Sequence, residues 1–259
     1  MERKLNMFFI SSCALHIIAM ALMVCDHLWA TLLGTQRWLT AVGRLAFPIF
    51  AFMIVEGFNH TSNIKKYMKR LLIFAVLSEI PFNYMMSGGV IGPFHQNVLW
   101  TFLISLLLIL LIQKLNLKAE NLLQKINLTK AKIVAEIIIF IVVCYIGYFV
   151  GNITFVDYFG AGILTVLVFY FFNKKTWYNL IFQIISIYYI NAELLAGMYY
   201  KVNILGHAIE VPEQGLAVLA LIPIWLYSGK QGYHAKWFKY TCYAFYPVHM
   251  LILTLLSRL

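Results

Sequence analysis

The chain has 259 residues, of which 62% are hydrophobic and 12% charged, with a mean hydropathy of +0.81 and a formal net charge of +10. A water-soluble domain carries about a quarter charged residues, so this composition excludes soluble domains and points to a bilayer as solvent. The basic balance needs no nucleic-acid partner, because the cations fall in the gaps between apolar runs.

Taken in chain order, those runs predict about nine membrane spans. Their cores are Phe8–Leu33, Leu39–Phe58, Leu71–Met86, Asn97–Ile112, Ile133–Val150, Val156–Phe172, Tyr178–Tyr199, Gly215–Tyr227 and Tyr240–Leu256. In lipid every backbone polar group needs an internal partner, so runs of this length read as helices. The fold class is an all-α polytopic bundle, one transmembrane domain over residues 1–259. The first run follows Arg3 and Lys4 like a signal sequence, but it is long, contains His16, Asp26 and His27, and lacks a small-residue cleavage site, so it reads as a retained span. The connection Gln113–Lys132 spaces Leu115, Leu122 and Ile126 beside Lys114, Lys118 and Lys125, which fits an interfacial helix or a solvated loop. Cys13, Cys25, Cys144 and Cys242 sit singly in apolar stretches and read as packing residues.

With the N-terminus in the cytoplasm, all but four (Arg37, Arg44, Lys201 and Arg258) of the 20 Lys+Arg fall on inner segments. The positive-inside rule therefore predicts a cytoplasmic N-terminus and an outer C-terminus.

Charges inside hydrocarbon are costly and mark cavities, partners or chemistry. This chain carries Asp26 and His27 in the first span, Arg44 and Glu56 in the second, Glu79 in the third, and Asp157, Glu193 and His249 in later ones, with His95-Gln96-Asn97 opening the fourth. Glu56 and His60 share a face at i,i+4, as do Glu79 and Asn83, and Tyr246 and His249 share a face of the last span. Each has a bland alternative: Asp26-His27 as a helix-end pair, Arg44 as the structural partner of Asp26 or Glu79, Glu56-His60 as a snorkelling pair, Lys65, Lys66, Lys69 and Arg70 as topology markers. A histidine beside a carboxylate is also how a general base is built, and an arginine nearby suits a developing oxyanion. No HExxH-like spacing predicts a metal, and no GxSxG is present.

Several blocks in order resemble the TraX family, membrane proteins that acetylate the N-terminus of F-type conjugative pilin. They are Met23-x-x-Asp26-His27, Gly43-Arg44-Leu45-Ala46-Phe47-Pro48, Glu56-Gly57-Phe58-x-His60-Thr61, Lys66-Tyr67-x-x-Arg70-Leu71, Ser78-Glu79-Ile80-Pro81-Phe82, Gln96-Asn97-Val98 and Phe245-Tyr246-Pro247-x-His249. Asn83 stands where the family pattern carries aspartate, so an acid role there is not implied. The resemblance implies a membrane acyltransferase of the bacterial inner membrane, taking acetyl-CoA from the cytoplasm. It implies His27 as the base with Asp26 as its orienter, and Arg44 or Asn97 at the oxyanion. Glu79, Asn83, Gln96, Tyr246, His249, Glu56 and His60 would form the pocket, and Lys65, Lys66, Lys69 and Arg70 would meet the CoA phosphates. The acceptor is a peptide N-terminus, a glycan or a small molecule. The same buried charges also suit a proton-coupled transporter or, leaving the charges without a role, a non-catalytic assembly factor. The sequence sets neither the acceptor nor the oligomeric state.

Overall fold

Ser11 starts the first helix by accepting the Ala14 N–H at 3.2 Å, which satisfies one of the orphan donors every helix start exposes. Helix α1 then runs Ser12–Thr31. The structure, a computed structural model, describes residues 9–204 and 207–259. Arg3, Lys4 and Phe8, which the orientation and first-span predictions use, lie outside the described residues.

The second predicted run is broken into α2 (Arg37–Gly43) and α3 (Ala46–His60). The break follows from Pro48, which has no N–H to return to the carbonyl of Arg44 four residues earlier. The turn tightens there, with Leu45 N–H bonded to Val42 O at 3.2 Å, and Pro48 itself sits harmlessly in the first turn of α3. Helix α4 (Ile64–Ser87) is capped by Asn63, whose Oδ1 accepts Lys66 N–H at 2.9 Å, and ends at Gly88, φ 73°. Helix α5 (Val98–Lys125) continues past its apolar part, so the basic stretch after Ile112 prolongs the span as far as Lys125. The separate interfacial helix is absent from this stretch because nothing there interrupts the helical backbone.

Helices α6 (Lys132–Ile153), α7 (Phe159–Phe171), α8 (Trp177–Tyr189), α9 (Leu221–Trp225) and α10 (Lys236–Leu256) complete the bundle. A π-helical turn, Ile190–Leu195, ends the run that began at α8, and Gly197 (φ 120°) turns the chain out of it. There the chain departs from helix. Strands β1 (Tyr199–Ile204) and β2 (His207–Pro212) form an antiparallel hairpin, Tyr199 opposite Pro212 and Lys201 opposite Glu210. Among the described residues, four segments are long and apolar enough to cross a membrane: Ser12–Thr31, Arg37–His60, Val98–Lys125 and Thr129–Ile153. Phe159–Phe171 and Glu213–Trp225 are shorter apolar helices.

Cross-links between loops define two ends. At one, Ser12 N–H bonds Lys230 O at 2.9 Å and the Lys175 ammonium donates to Tyr227 O. At the other, Gln96 N–H bonds Phe155 O and Asp157 N–H bonds Gln96 O, both at 2.8 Å. The core lies between, where Ile49 and Ala51 of α3, Leu106 and Ile109 of α5, and Ile163 and Leu167 of α7 are fully enclosed. Helix α6 instead turns Ile133, Ile138, Ile141 and Tyr145 outward, an apolar expanse that suits lipid.

Helix α6 meets α7 through Gly147 and Gly151, four apart on one face, the small-residue spacing that lets helices approach in a membrane. A Cβ on Gly151 would lie 2.7 Å from the Gly160 backbone, which has no side chain to swing aside. Gly151→Ala is therefore expected to lower stability by about 1–3 kcal/mol, read as a lower unfolding temperature in detergent, whereas an unchanged transition would mean the contact is looser than described.

Candidate functional site

Near the end that carries the hairpin, α1 and α2 are locked by charge. The Arg44 Nη2 donates to Asp26 Oδ1 at 2.5 Å, and the Thr40 hydroxyl donates to the same oxygen at 2.7 Å. Arg44 Nε donates to Thr40 O at 3.2 Å, and its Nη2 also meets the Thr40 hydroxyl. The ion-pair side chains are only 14% and 19% exposed, Arg44 and Asp26 respectively. Gly43 makes the approach possible, since a Cβ there would fall 2.5 Å from Asp26 Cβ. Thus Asp26 is the partner of Arg44, one of the alternatives weighed from sequence. Its described contacts go to Arg44 and Thr40, and it does not orient His27.

His27 finds its partner on the last helix. Its Nδ1 lies 2.7 Å from His249 Nε2, with ring centres 4.8 Å apart and planes 9° from parallel. The protons can be placed by elimination. His249 Nδ1 lies 2.7 Å from Phe245 O, which can only accept, so that nitrogen carries hydrogen. In the neutral ring Nε2 then holds a lone pair and accepts from His27 Nδ1–H. His27 Nε2 is left with its own lone pair. A second imidazole thus occupies the place a carboxylate takes in a His–Asp dyad. The two residues lie 222 apart in sequence, and that pairing was not predicted. Phe245 flanks His249, ring centres 4.9 Å apart, and Tyr246 is buried beside it.

Glu79 and Asn97 serve structure at the mouth of α5. Glu79 Oε1 accepts Asn97 N–H at 3.1 Å and the Trp100 indole N–H at 2.8 Å, and also meets the Asn97 amide. Asn97 Nδ2 donates to Ala75 O at 2.8 Å, while its Oδ1 caps α5 through Leu99 N–H at 3.1 Å. The Asn97 side chain is wholly buried with both amide functions engaged, so Asn97 is not placed to stabilise an oxyanion. Asn83 reaches Val90 O at 3.4 Å, and Gln96 reaches Pro93 O at 3.1 Å; both brace the 88–97 loop. A second histidine–carboxylate pair appears in the loops: His95 Nε2 lies 3.3 Å from Asp157 Oδ1, side chains 35% and 25% exposed. Glu193 is exposed in the π-helical turn.

Below the histidine pair lies a cavity of about 630 Å³. It runs from Gln231, His234, Lys239 and Arg70 at the opposite end of the molecule to a floor of Met23, Val98, Leu99 and Tyr246. His16, Glu56 and His60 line its walls. Glu56 and His60 pair at 3.4 Å, as their spacing predicts, with His60 largely exposed. His16 Nδ1 bonds Ser12 O at 2.8 Å and so stands apart from His27 although both lie on α1. Of the four-residue basic cluster, only Arg70 lines the cavity, while Lys65, Lys66 and Lys69 are exposed. Among the described residues no group of three or more His, Cys, Asp or Glu is placed to hold a metal ion.

A family model described as TraX protein matches residues 11–257. The chain belongs to the TraX family. It is also similar to a probable fimbrial assembly protein, FimC of serogroup H1, from Dichelobacter nodosus, at 35% identity over 112 residues. That match takes in 39% of this chain and 46% of the relative, so the chain spans under half of the relative's length. No solved structure matches.

Two outcomes follow for this TraX-family chain. Asp26→Ala strands the Arg44 charge in a site only 14% exposed and is expected to destabilise by about 3–5 kcal/mol. The double change Asp26→Leu with Arg44→Met should recover most of that loss in thermal unfolding, and no recovery would count against the pair as a self-contained unit. The hydrogen bond that His95 donates to the Asp157 carboxylate, outside the helices, raises the His95 pKa above its usual value. With a raised folded value, the stability contributed is present below about pH 6.5 and is lost as pH rises through the His95 value. Imidazole NMR should show His95 titrating high, and Asp157→Asn should bring it back down.

Proposed function

We propose that this TraX-family protein is a membrane-integral acyltransferase. It moves an acetyl group from acetyl-CoA to an amine or hydroxyl of an acceptor at the outer face of the inner membrane. It is read as crossing that membrane about nine times with its N-terminus in the cytoplasm. The observation that carries this reading is the His27–His249 bond, which leaves His27 Nε2 with a lone pair one helical turn beyond the Met23 floor of the cavity.

In the proposed transfer the acyl carbon comes up the cavity on its thioester and the acceptor approaches from the hairpin end. The acceptor nitrogen or oxygen attacks the thioester carbonyl and forms its bond to carbon. His27 Nε2 takes the acceptor's proton. His249 holds the ring through Nδ1–H and shares the positive charge that results, as the acid does in a His–Asp pair. Arg44 lies within electrostatic range of His27, and its fixed charge favours the tetrahedral oxyanion. On collapse the carbon–sulfur bond breaks and the CoA thiolate recovers the proton from His27. The family membership and the name of the fimbrial relative favour a pilin-type peptide N-terminus as acceptor.

His27→Ala in proteoliposomes given labelled acetyl-CoA and an acceptor extract is expected to lower transfer by about 10²–10⁴-fold. Undiminished transfer would sink the assignment. Substrate accumulation in vesicles without acyl-CoA would instead favour the transporter.

A further inference from the structure

The cavity is chemically lopsided. Its deep part is apolar, with Phe50, Phe52, Met53, Leu99 and Phe102 on the walls and Met23 in the floor. Its mouth is cationic. Arg70 points in from α4 and Lys239 from α10, and Lys239 lies within electrostatic range of both Arg70 and Lys66.

Cations brought together from different helices repel, and the usual remedy is an acid between them. Among the described residues no carboxylate pairs with Arg70 or Lys239. Glu56, the carboxylate on the cavity wall, is engaged on its own side: His60 lies 3.4 Å away and the Tyr227 hydroxyl bonds to it. The Arg70 guanidinium rests over the Tyr67 ring, 5.9 Å from its centre, and hydrogen-bonds the Tyr243 hydroxyl. Its Nε is enclosed and has no hydrogen-bond partner. A desolvated N–H donor without an acceptor is an expensive feature, and a guanidinium with such a donor beside a second cation suits a phosphate.

The length of the shaft says what the phosphate is attached to. Lys239 and His249 lie about 15 Å apart along the α10 axis at the usual helical rise. A head group held at the mouth therefore needs a slender, extended and uncharged arm to bring a reacting atom to the floor below His27.

We propose that the cavity binds a phosphorylated acyl carrier, with Arg70 and Lys239 holding the phosphate and the apolar shaft holding a pantetheine-like arm. This deepens the acyltransferase reading and rests on it for the thioester at the tip. It also separates residues that the sequence groups together: Arg70 binds, its exposed neighbours Lys65 and Lys69 do not, and Lys239, distant in the chain, replaces them.

Calorimetry with the full chain in phosphatidylcholine nanodiscs tests it, using CoA and pantetheine as probes. CoA is expected to bind, and Arg70→Gln and Lys239→Gln should each weaken it by about ten-fold or more, with Arg70→Lys recovering part of the loss. Lys65→Gln and Lys69→Gln should leave it unchanged, and pantetheine should bind weakly and ignore all four changes. Lys239 is exposed, so its variant should fold even where an Arg70 variant does not. CoA binding indifferent to both cations, or pantetheine binding as tight as CoA, overturns the site. Loss of CoA binding in phosphatidylglycerol nanodiscs would assign the cations to a lipid headgroup and overturn it too. His27→Ala should keep CoA binding. Binding with these dependences but no acetyl transfer overturns the acyltransferase reading alone, whereas transfer without them overturns the site alone.

Discussion

Asp26 and Arg44 sit together in an apolar bundle because each neutralises the other and Thr40 fills the remaining geometry, donating to Asp26 Oδ1 at 2.7 Å while its carbonyl accepts Arg44 Nε–H at 3.2 Å. That arrangement demands a short distance between α1 and α2, and Gly43 supplies it. Once Asp26 faces α2, the next residue on α1 is turned by about 100°. His27 is thereby directed at α10, where His249 meets it at 2.7 Å. The ion pair and the imidazole pair are two consequences of one helix orientation.

A buried ion pair is a poor source of net stability, since desolvation cancels much of its attraction. Its value lies in register: a slip of α1 against α2 would strand two charges at once. The Glu79 node does the same for α4 and α5, gathering Asn97 and Trp100 on one carboxylate oxygen. Between them the two nodes fix helices on either side of the floor formed by Met23, Phe82, Tyr246 and Met250. Helix α10 is freer locally, because Pro247 cannot bond the carbonyl of Tyr243. His249 nevertheless holds its tautomer through its own helix, by Phe245 O at 2.7 Å.

Much of the bundle was legible because hydropathy is a local property. The runs at Phe8–Leu33 and Ile133–Val150 correspond to α1 and α6 within a few residues. The interruption at Arg44 was less visible, since an apolar window averages over one proline. The hairpin at 199–212 was missed because it falls in the gap between two apolar runs, although Tyr200, Val202 and Ile204 alternate with Lys201 and Asn203 in the manner of a strand. Asp26, His27, Arg44 and His249 stood out because charge in hydrocarbon is rare, and the structure groups them as an ion pair and an imidazole pair. Partnership did not follow from adjacency. Neighbours on a helix diverge, so Asp26-His27 reads as a dyad only along the chain. The observed pairs, His27 with His249 and His95 with Asp157, join residues 222 and 62 apart, which no periodicity encodes.

The floor that separates the cavity from the histidine pair bears on how the proposed transfer avoids leakage. Met23, Tyr246 and Met250 are buried there, with Phe82 and the partly buried Phe50, Val98 and Leu99 packed round them. An apolar layer of this kind sheds water and opposes passage of ions, so in the proposed reaction it keeps the charges of donor and acceptor apart. Methionine is the residue best able to yield to a small apolar guest, having three rotatable bonds and no branch. In the proposed reaction only an acyl carbon and its sulfur need enter this layer. The cationic mouth then anchors what must not cross, and the histidine pair stands where the part that does cross emerges.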